Sequence, residues 1–220
     1  MDQSQIKDII IQNKTLLLPP DIPDEAVLKA TLDLNNFGIY KEEDDILAFI
    51  HWLQVHDGIK EISMMYNKQN NVLGGLFILE EIYKQLSMGN RVLGTTWEHN
   101  NKMETIARKV CDIIEDGYCW TIYDDTIVNK QPSSSFTVAH KDYVLYYNGI
   151  YFSVDLINYN YGIRNLKALM RDYETNRLVV FSPVPNIRLK MYKYKIYDVD
   201  IVRLSKYVDM YRKLSRKAAI

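Results

Sequence analysis

The 220 residues include only two cysteines, Cys111 and Cys119. They sit eight residues apart, which argues against a disulfide framework or a paired-cysteine metal site. They fall in segments that read as a helix and a strand, so both are expected to be reduced, in a cytosolic compartment. Long apolar runs are missing as well. Stretches such as Ile9-Ile10-Ile11 and Leu16-Leu17-Leu18 are far too short to span a bilayer, and the N-terminus lacks the charged-then-apolar pattern of a secretory signal. The expectation is a protein of the producing cell's cytoplasm with no membrane partner. A formal net charge of −1 removes any strong overall bias toward polyanions. No internal repeat, heptad run or extended low-complexity linker is present, and Gln131-Pro132-Ser133-Ser134-Ser135 is the one stretch composed like a surface loop.

Catalytic and metal-binding motifs are equally scarce. The four histidines are His51, His56, His99 and His140. On a helix, His51 and His56 would point about 140° apart and could not clasp one metal from one face. Glu98-His99 reads as a helix-entry pair. Cys119 with His140 has a plausible order for a nucleophile and base, but a strand cysteine beside Trp120 reads first as packing. Ser133 to Ser135 with His140 and Asp142 hold the atoms of a hydrolase triad without the strand-to-helix elbow that would activate one. Asp198 and Asp200 could share a divalent cation from an extended backbone, yet they read better as caps for the helix that follows. Gly74-Gly75 hints at an amide nest for phosphate, but no Lys-Ser/Thr follows it. These residues call for no catalytic site, cofactor or metal.

What is there is a core. Hydrophobic residues make up 47% of the chain and charged residues 25%, enough for one large domain or two small ones. Ile, Asn, Lys and Tyr together supply roughly a third of it, above the ordinary share, and all four have AT-rich codons. Apolar spacing predicts helices over a stripe of Ile6, Ile9 and Ile10 stopped by Pro19-Pro20, from Asp24 to about Asn36, from Lys41 through Ile46, Phe49, Ile50 and Leu53, over Leu79 to Leu86 closed by Gly89-Asn90, and over Met103 to Ile113 stopped by Gly117. At Tyr118 the period changes. Strands are expected at 118–123, 136–139, 143–147, 150–154, 178–181 and 187–197, interrupted by a helix at 163–172 and a Pro183-Val184-Pro185 connector. Asn148-Gly149 is the strongest hairpin signal. A helix from about Val199 to Arg216 closes the chain, with Ile201, Leu204, Val208, Tyr211 and Leu214 on one face. The expected fold is α+β: a helical region at 1–117, then an antiparallel β-rich region at 118–220 closed by a basic amphipathic helix, both sharing one domain or forming two.

Charge is unevenly spread. Residues 1–60 are acidic, most densely at Glu42-Glu43-Asp44-Asp45, and the chain is basic from Arg188 onward. Cations there alternate with tyrosines, the composition that single-stranded nucleic acid binding uses. Lys190, Tyr192, Lys193, Tyr194, Lys195, Arg203, Lys206, Arg212 and Lys213 are therefore the candidate interaction residues. They suit contact with a second copy, with other subunits, or nonspecifically with nucleic acid.

Two phrases carry a resemblance. One is the helix Lys102 to Glu115 breaking at Asp116-Gly117-Tyr118-Cys119-Trp120 into strands. The other is Tyr197-Asp198-Val199-Asp200-Ile201-Val202-Arg203-Leu204 leading into a helix with Tyr211-Arg212-Lys213. Over about residues 88–217 the chain resembles the tail-adaptor (gatekeeper, tubular) proteins of short-tailed bacteriophages. The resemblance implies a ring-forming connector of the virion, joined to itself and to neighbouring subunits, with no enzymatic activity. A nucleic-acid-binding module is the alternative, and an enzyme using Asp198/Asp200 or Cys119/His140 ranks third.

Overall fold

The computed structural model describes residues 3–18, 23–29, 31–56, 58–97, 100–124, 126, 136–140, 143–147, 150–153, 164, 167–168, 171, 177–182, 190 and 192–218. The chain is α+β. It forms two compact units, one from Met1–Leu32, Trp97–His99 and Asp116–Lys195, the other from Asp33–Thr96, Asn100–Glu115 and Ile196–Ile220.

In the first unit, α1 (Gln3–Gln12), α2 (Lys14–Leu17) and α3 (Asp24–Lys29) form a small helical cluster. The spacing of Ile6 and Ile10 buries both. Gln3 Nε2 donates to the Leu32 carbonyl at 2.9 Å, Lys7 Nζ donates to the Leu28 carbonyl at 2.7 Å, and Lys14 pairs with Asp24. The strands of this unit include the later part of β5 (Cys111–Tyr123), β6 (Phe136–His140), β7 (Tyr143–Tyr147), β8 (Ile150–Ser153) and β9 (Arg177–Ser182). β5 runs antiparallel to β9, β8 parallel to β9, and β6 antiparallel to β7. Among the described residues β7 and β8 are assigned to different sheets.

The second unit departs most from the sequence-based expectation. Helix α3 ends at Lys29, and Asp33 starts a separate 3-10 turn, Leu34–Asn36, by accepting from the Asn35 amide. In place of a helix from Lys41, the chain forms β1 (Phe37–Glu42), β2 (Asp45–His56) and β3 (Ile59–Asn67), paired antiparallel in that order. The reason lies in Ile46, Leu47, Ala48, Phe49 and Ile50, all buried. An unbroken apolar run matches helical spacing at some positions, but it also suits a strand covered on both faces. The acidic run Glu42-Glu43-Asp44-Asp45 makes the β1–β2 turn, with Glu43 at φ 52° and Asp45 paired to Lys68.

From β3 the chain crosses through α4 (Val72–Ser87) into β4 (Arg91–Trp97), which runs parallel to β3. Next comes α5 (Asn101–Val110), which ends where Cys111 begins β5. Gly117 thus lies inside a strand and does not stop a helix. After β10 (Tyr192–Val199), α6 (Ile201–Ala218) closes the unit. Strand order here is β1-β2-β3-β4-β10-β5. Ala48, Ile50, Trp52, Ile62 and Val92 of the sheet pack with Ile78, Leu79 and Ile82 of α4, Ala107 and Val110 of α5, and Leu204 and Val208 of α6. On α6 the apolar stripe is only partly used, since Ile201 and Leu214 stay exposed. Among the described residues no helix is long and apolar enough to cross a membrane.

The loop at 131–135, the connector at 183–185, Asn148-Gly149 and most of the expected helix at 163–172 lie outside the described residues.

Candidate functional site

The parallel pair β3–β4 stays in register for only four residues, Ile59–Ile62 against Arg91–Gly94. Among the described residues β3 beyond Ile62 is paired with β2 as far as Asn67, and β4 runs on through Thr95 and Thr96 with β10 as its other neighbour in the sheet. The parallel ladder thus ends toward the carboxyl ends of its two strands. Open sheets place ligands there, because strand ends present unpaired backbone groups and the crossover helices are set back.

Two polar pairs lie at this end of the ladder. Glu61 is 1% exposed, and its carboxylate accepts from Thr95 Oγ1 at 2.8 Å. The next residue, Thr96, donates from Oγ1 to the hydroxyl of Tyr197 at 3.4 Å, with Tyr197 also 1% exposed. Successive strand residues face opposite sides, so the Glu61–Thr95 pair lies on one face of the sheet and Thr96–Tyr197 on the other. A carboxylate this deep is costly to hold, and functional sites account for many such groups. Sequence reasoning missed Glu61. The one signal was a carboxylate between Ile59 and Met64 in a segment otherwise suited to a central strand.

The start of α4 answers the question raised by Gly74-Gly75. Asn71 caps the helix by accepting from the Gly74 amide at 2.9 Å, and the Gly75 amide donates to the Asn71 carbonyl. A Cβ on Gly74 would stand 2.6 Å from Asn67 Oδ1 and 3.0 Å from Ala48 Cβ, and one on Gly75 would stand 2.9 Å from the Tyr211 ring. The glycines are there for close packing, and the cap and the Tyr211 ring occupy the space a phosphate would need.

No family model matches the chain, and no curated protein matches it. In fold it is similar to a solved structure described as "a putative acetyltransferase from Thermoplasma acidophilum", at 12% identity and TM-score 0.43, over 90% of this chain and 86% of that one. A likeness of that depth assigns no activity here. No tail-adaptor protein emerges, and the fold neighbour is described as an enzyme. The tail-adaptor resemblance is therefore corrected, and with it the readings of a non-enzymatic assembly protein, virion component, bacteriophage tail part or connector. The nucleic-acid alternative gains nothing from the comparisons. The phrase that carried the resemblance also fails locally, because the change from helix to strand comes at Cys111 and not at Asp116-Gly117.

The other sequence-marked residues do not converge. Asp200 caps α6 by accepting from the Arg203 amide at 2.8 Å, and that bond, then the nearby Arg203 charge, holds its carboxyl below the usual range. Asp198 instead grips Arg91 on β4, at 2.8 Å to Nε and 2.7 Å to Nη2. The two carboxylates thus serve separate partners, and among the described residues no cluster suited to a metal ion occurs. His51 lies on β2 with its ring 4.3 Å from that of Phe37. Cys111 is buried, and burial pushes its thiol up to about 12, which makes it inert. His99, Ser133 to Ser135 and Asp142 lie outside the described residues, as do the side chains of Cys119 and His140.

Of the candidate interaction residues in the first unit, Lys190 and Lys193 are exposed, Tyr192 and Lys195 are half-buried, and Lys190 Nζ lies 5.7 Å from the centre of the Tyr192 ring. Tyr194 is 1% exposed and offers no face to a partner. In the second unit, Lys206 and Lys213 are exposed. Arg203 is engaged with Asp112 at 2.7 Å and the Cys111 carbonyl at 3.2 Å, and Arg212 pairs with Glu80 at 2.9 Å.

Proposed function

We propose that this chain is an enzyme that transfers an acyl group to a small amine, with the carboxyl end of the β3–β4 ladder as its reaction centre and Glu61 as the proton acceptor. The observation that carries the reading is the position of Glu61: a deeply buried carboxylate, oriented by Thr95, one residue before the parallel ladder opens. An amine nucleophile must lose a proton as it attacks a carbonyl carbon, and a carboxylate fixed at the end of the ladder can take it. Among the described residues the β3 edge beyond Ile62 has no ladder partner in β4, so a donor with an extended, amide-bearing arm can add there as a strand would.

The test uses acetyl-coenzyme A as the acyl donor with a panel of small amines, reading release of the free thiol. Transfer by the wild-type protein is expected, with kcat reduced by about 10²- to 10⁴-fold in Glu61→Gln while donor binding is retained. Absence of donor binding together with absence of thiol release for every amine, or an undiminished rate in Glu61→Gln, overturns the proposal.

A further inference from the structure

On the opposite face of the sheet from Glu61, a cleft of about 260 Å³ opens between the C-terminal half of α4 and the strands β1 to β3. Trp52 and Lys60 line it from the sheet, Glu81, Lys84 and Gln85 from α4, and Asn36 from the turn before β1. That volume holds roughly nine waters, so it suits a molecule the size of a small organic acid or inorganic phosphate.

Trp52 is 6% exposed, and its indole N–H meets no acceptor among the described residues. A buried donor left without an acceptor is uncommon, because it has lost its water without replacement. Nearby groups add donors of the same kind. Lys60 has no side-chain partner among the described residues, and Lys84 is held only loosely by Glu81, at 3.7 Å. Gln85 turns its oxygen to Asn90 Nδ2 at 3.1 Å, which leaves its amide N–H groups as donors. Among the described lining residues Glu81 is the one carboxylate, so two ammonium groups and two neutral donors there face a single negative charge.

We infer that this cleft is a binding site for a small oxyanion, a carboxylate or a phosphate, whose oxygens accept from Trp52 Nε1 and from Lys60 and Lys84. Charge-assisted bonds hold the anion, and the indole bond fixes its position. The site is independent of the reaction assigned to the carboxyl end of the β3–β4 ladder, because it uses other residues on the other face of the sheet.

The test is titration of the full chain, labelled with ¹⁵N at tryptophan, with inorganic phosphate and separately with acetate and succinate. The Trp52 indole resonance is assigned from its loss in Trp52→Phe. A saturable shift of that resonance is expected at low-millimolar ligand, weakened about tenfold or more in Lys60→Met and in Lys84→Met. A response to phosphate alone makes the ligand a phosphate, and a response to the organic acids alone makes it a carboxylate. No saturable shift with any of the three, or affinity unchanged in both lysine variants, overturns the inference. The lysine variants alter surface-reaching side chains, so they keep the test open if Trp52→Phe fails to fold.

Discussion

Lowering the pH below 6.5 should destabilise this protein through one residue, His51. Its Nδ1 is buried and meets no hydrogen-bond partner among the described residues, and its ring packs against Phe37. Burial lowers its pKa from 6.5 to about 4, and the nearby charge of Asp33 offsets this only in part. The folded state therefore holds the imidazole neutral, whereas the unfolded chain takes up a proton as soon as pH falls through 6.5. Stability is complete above 6.5 and declines as pH falls toward 4. At about 1.4 kcal/mol per pH unit the full loss reaches about 3 kcal/mol, of which about 2 kcal/mol appears between pH 7 and pH 5. The assay is urea unfolding at pH 7, 6 and 5 for the wild type and for His51→Phe, which keeps a ring beside Phe37 and removes the titration. Both proteins share every carboxylate, including Asp124 and Asp200, whose carboxyls are also held low. Those effects cancel in the difference. The gap between the two curves should move in favour of the variant by about 2 kcal/mol from pH 7 to pH 5. Curves that stay parallel would refute the reasoning.

Two further outcomes test the packing. Gly74→Ala should destabilise by about 1–2 kcal/mol, because overpacking against Asn67 and Ala48 exceeds the modest helix-propensity gain, and Asn67→Ala in the same chain should restore part of the loss. A urea midpoint for Gly74→Ala at or above that of the wild type would contradict the close approach. In Cys119→Ser, which leaves Cys111 as the only thiol, modification by Ellman's reagent at pH 8 should run about a thousandfold slower in the native protein than in urea, since burial keeps the thiol protonated. Similar rates in the two conditions would show that Cys111 is accessible.

Local chemistry accounts for what was legible along the chain. The Ile6/Ile10 stripe, the α4 stripe ending at Gly89 (φ 86°) and the acidic cap on α6 each depend on neighbours within one or two turns, and each forms as read. The misreadings all sit where distant segments decide. Ile46 to Ile50 became a strand because β1 and β3 pair with it on both sides. α5 stops at Val110 because Cys111 enters β5, although the helical spacing continues to Ile113. Asp198, paired in the sequence reading with Asp200, turns to Arg91 more than a hundred residues away.

By itself, then, the sequence determined the α+β class and the helices whose caps and apolar stripes are local. Tertiary structure alone decided the candidate sites. Glu61 is buried in the folded sheet, Thr95 reaches it only through the α4 crossover, and Trp52, packed beneath α4, meets no acceptor among the described residues. The physical reason is that burial and pairing are properties of a place in the fold, and no spacing of residues along the chain encodes how deeply a carboxylate or an indole will be set.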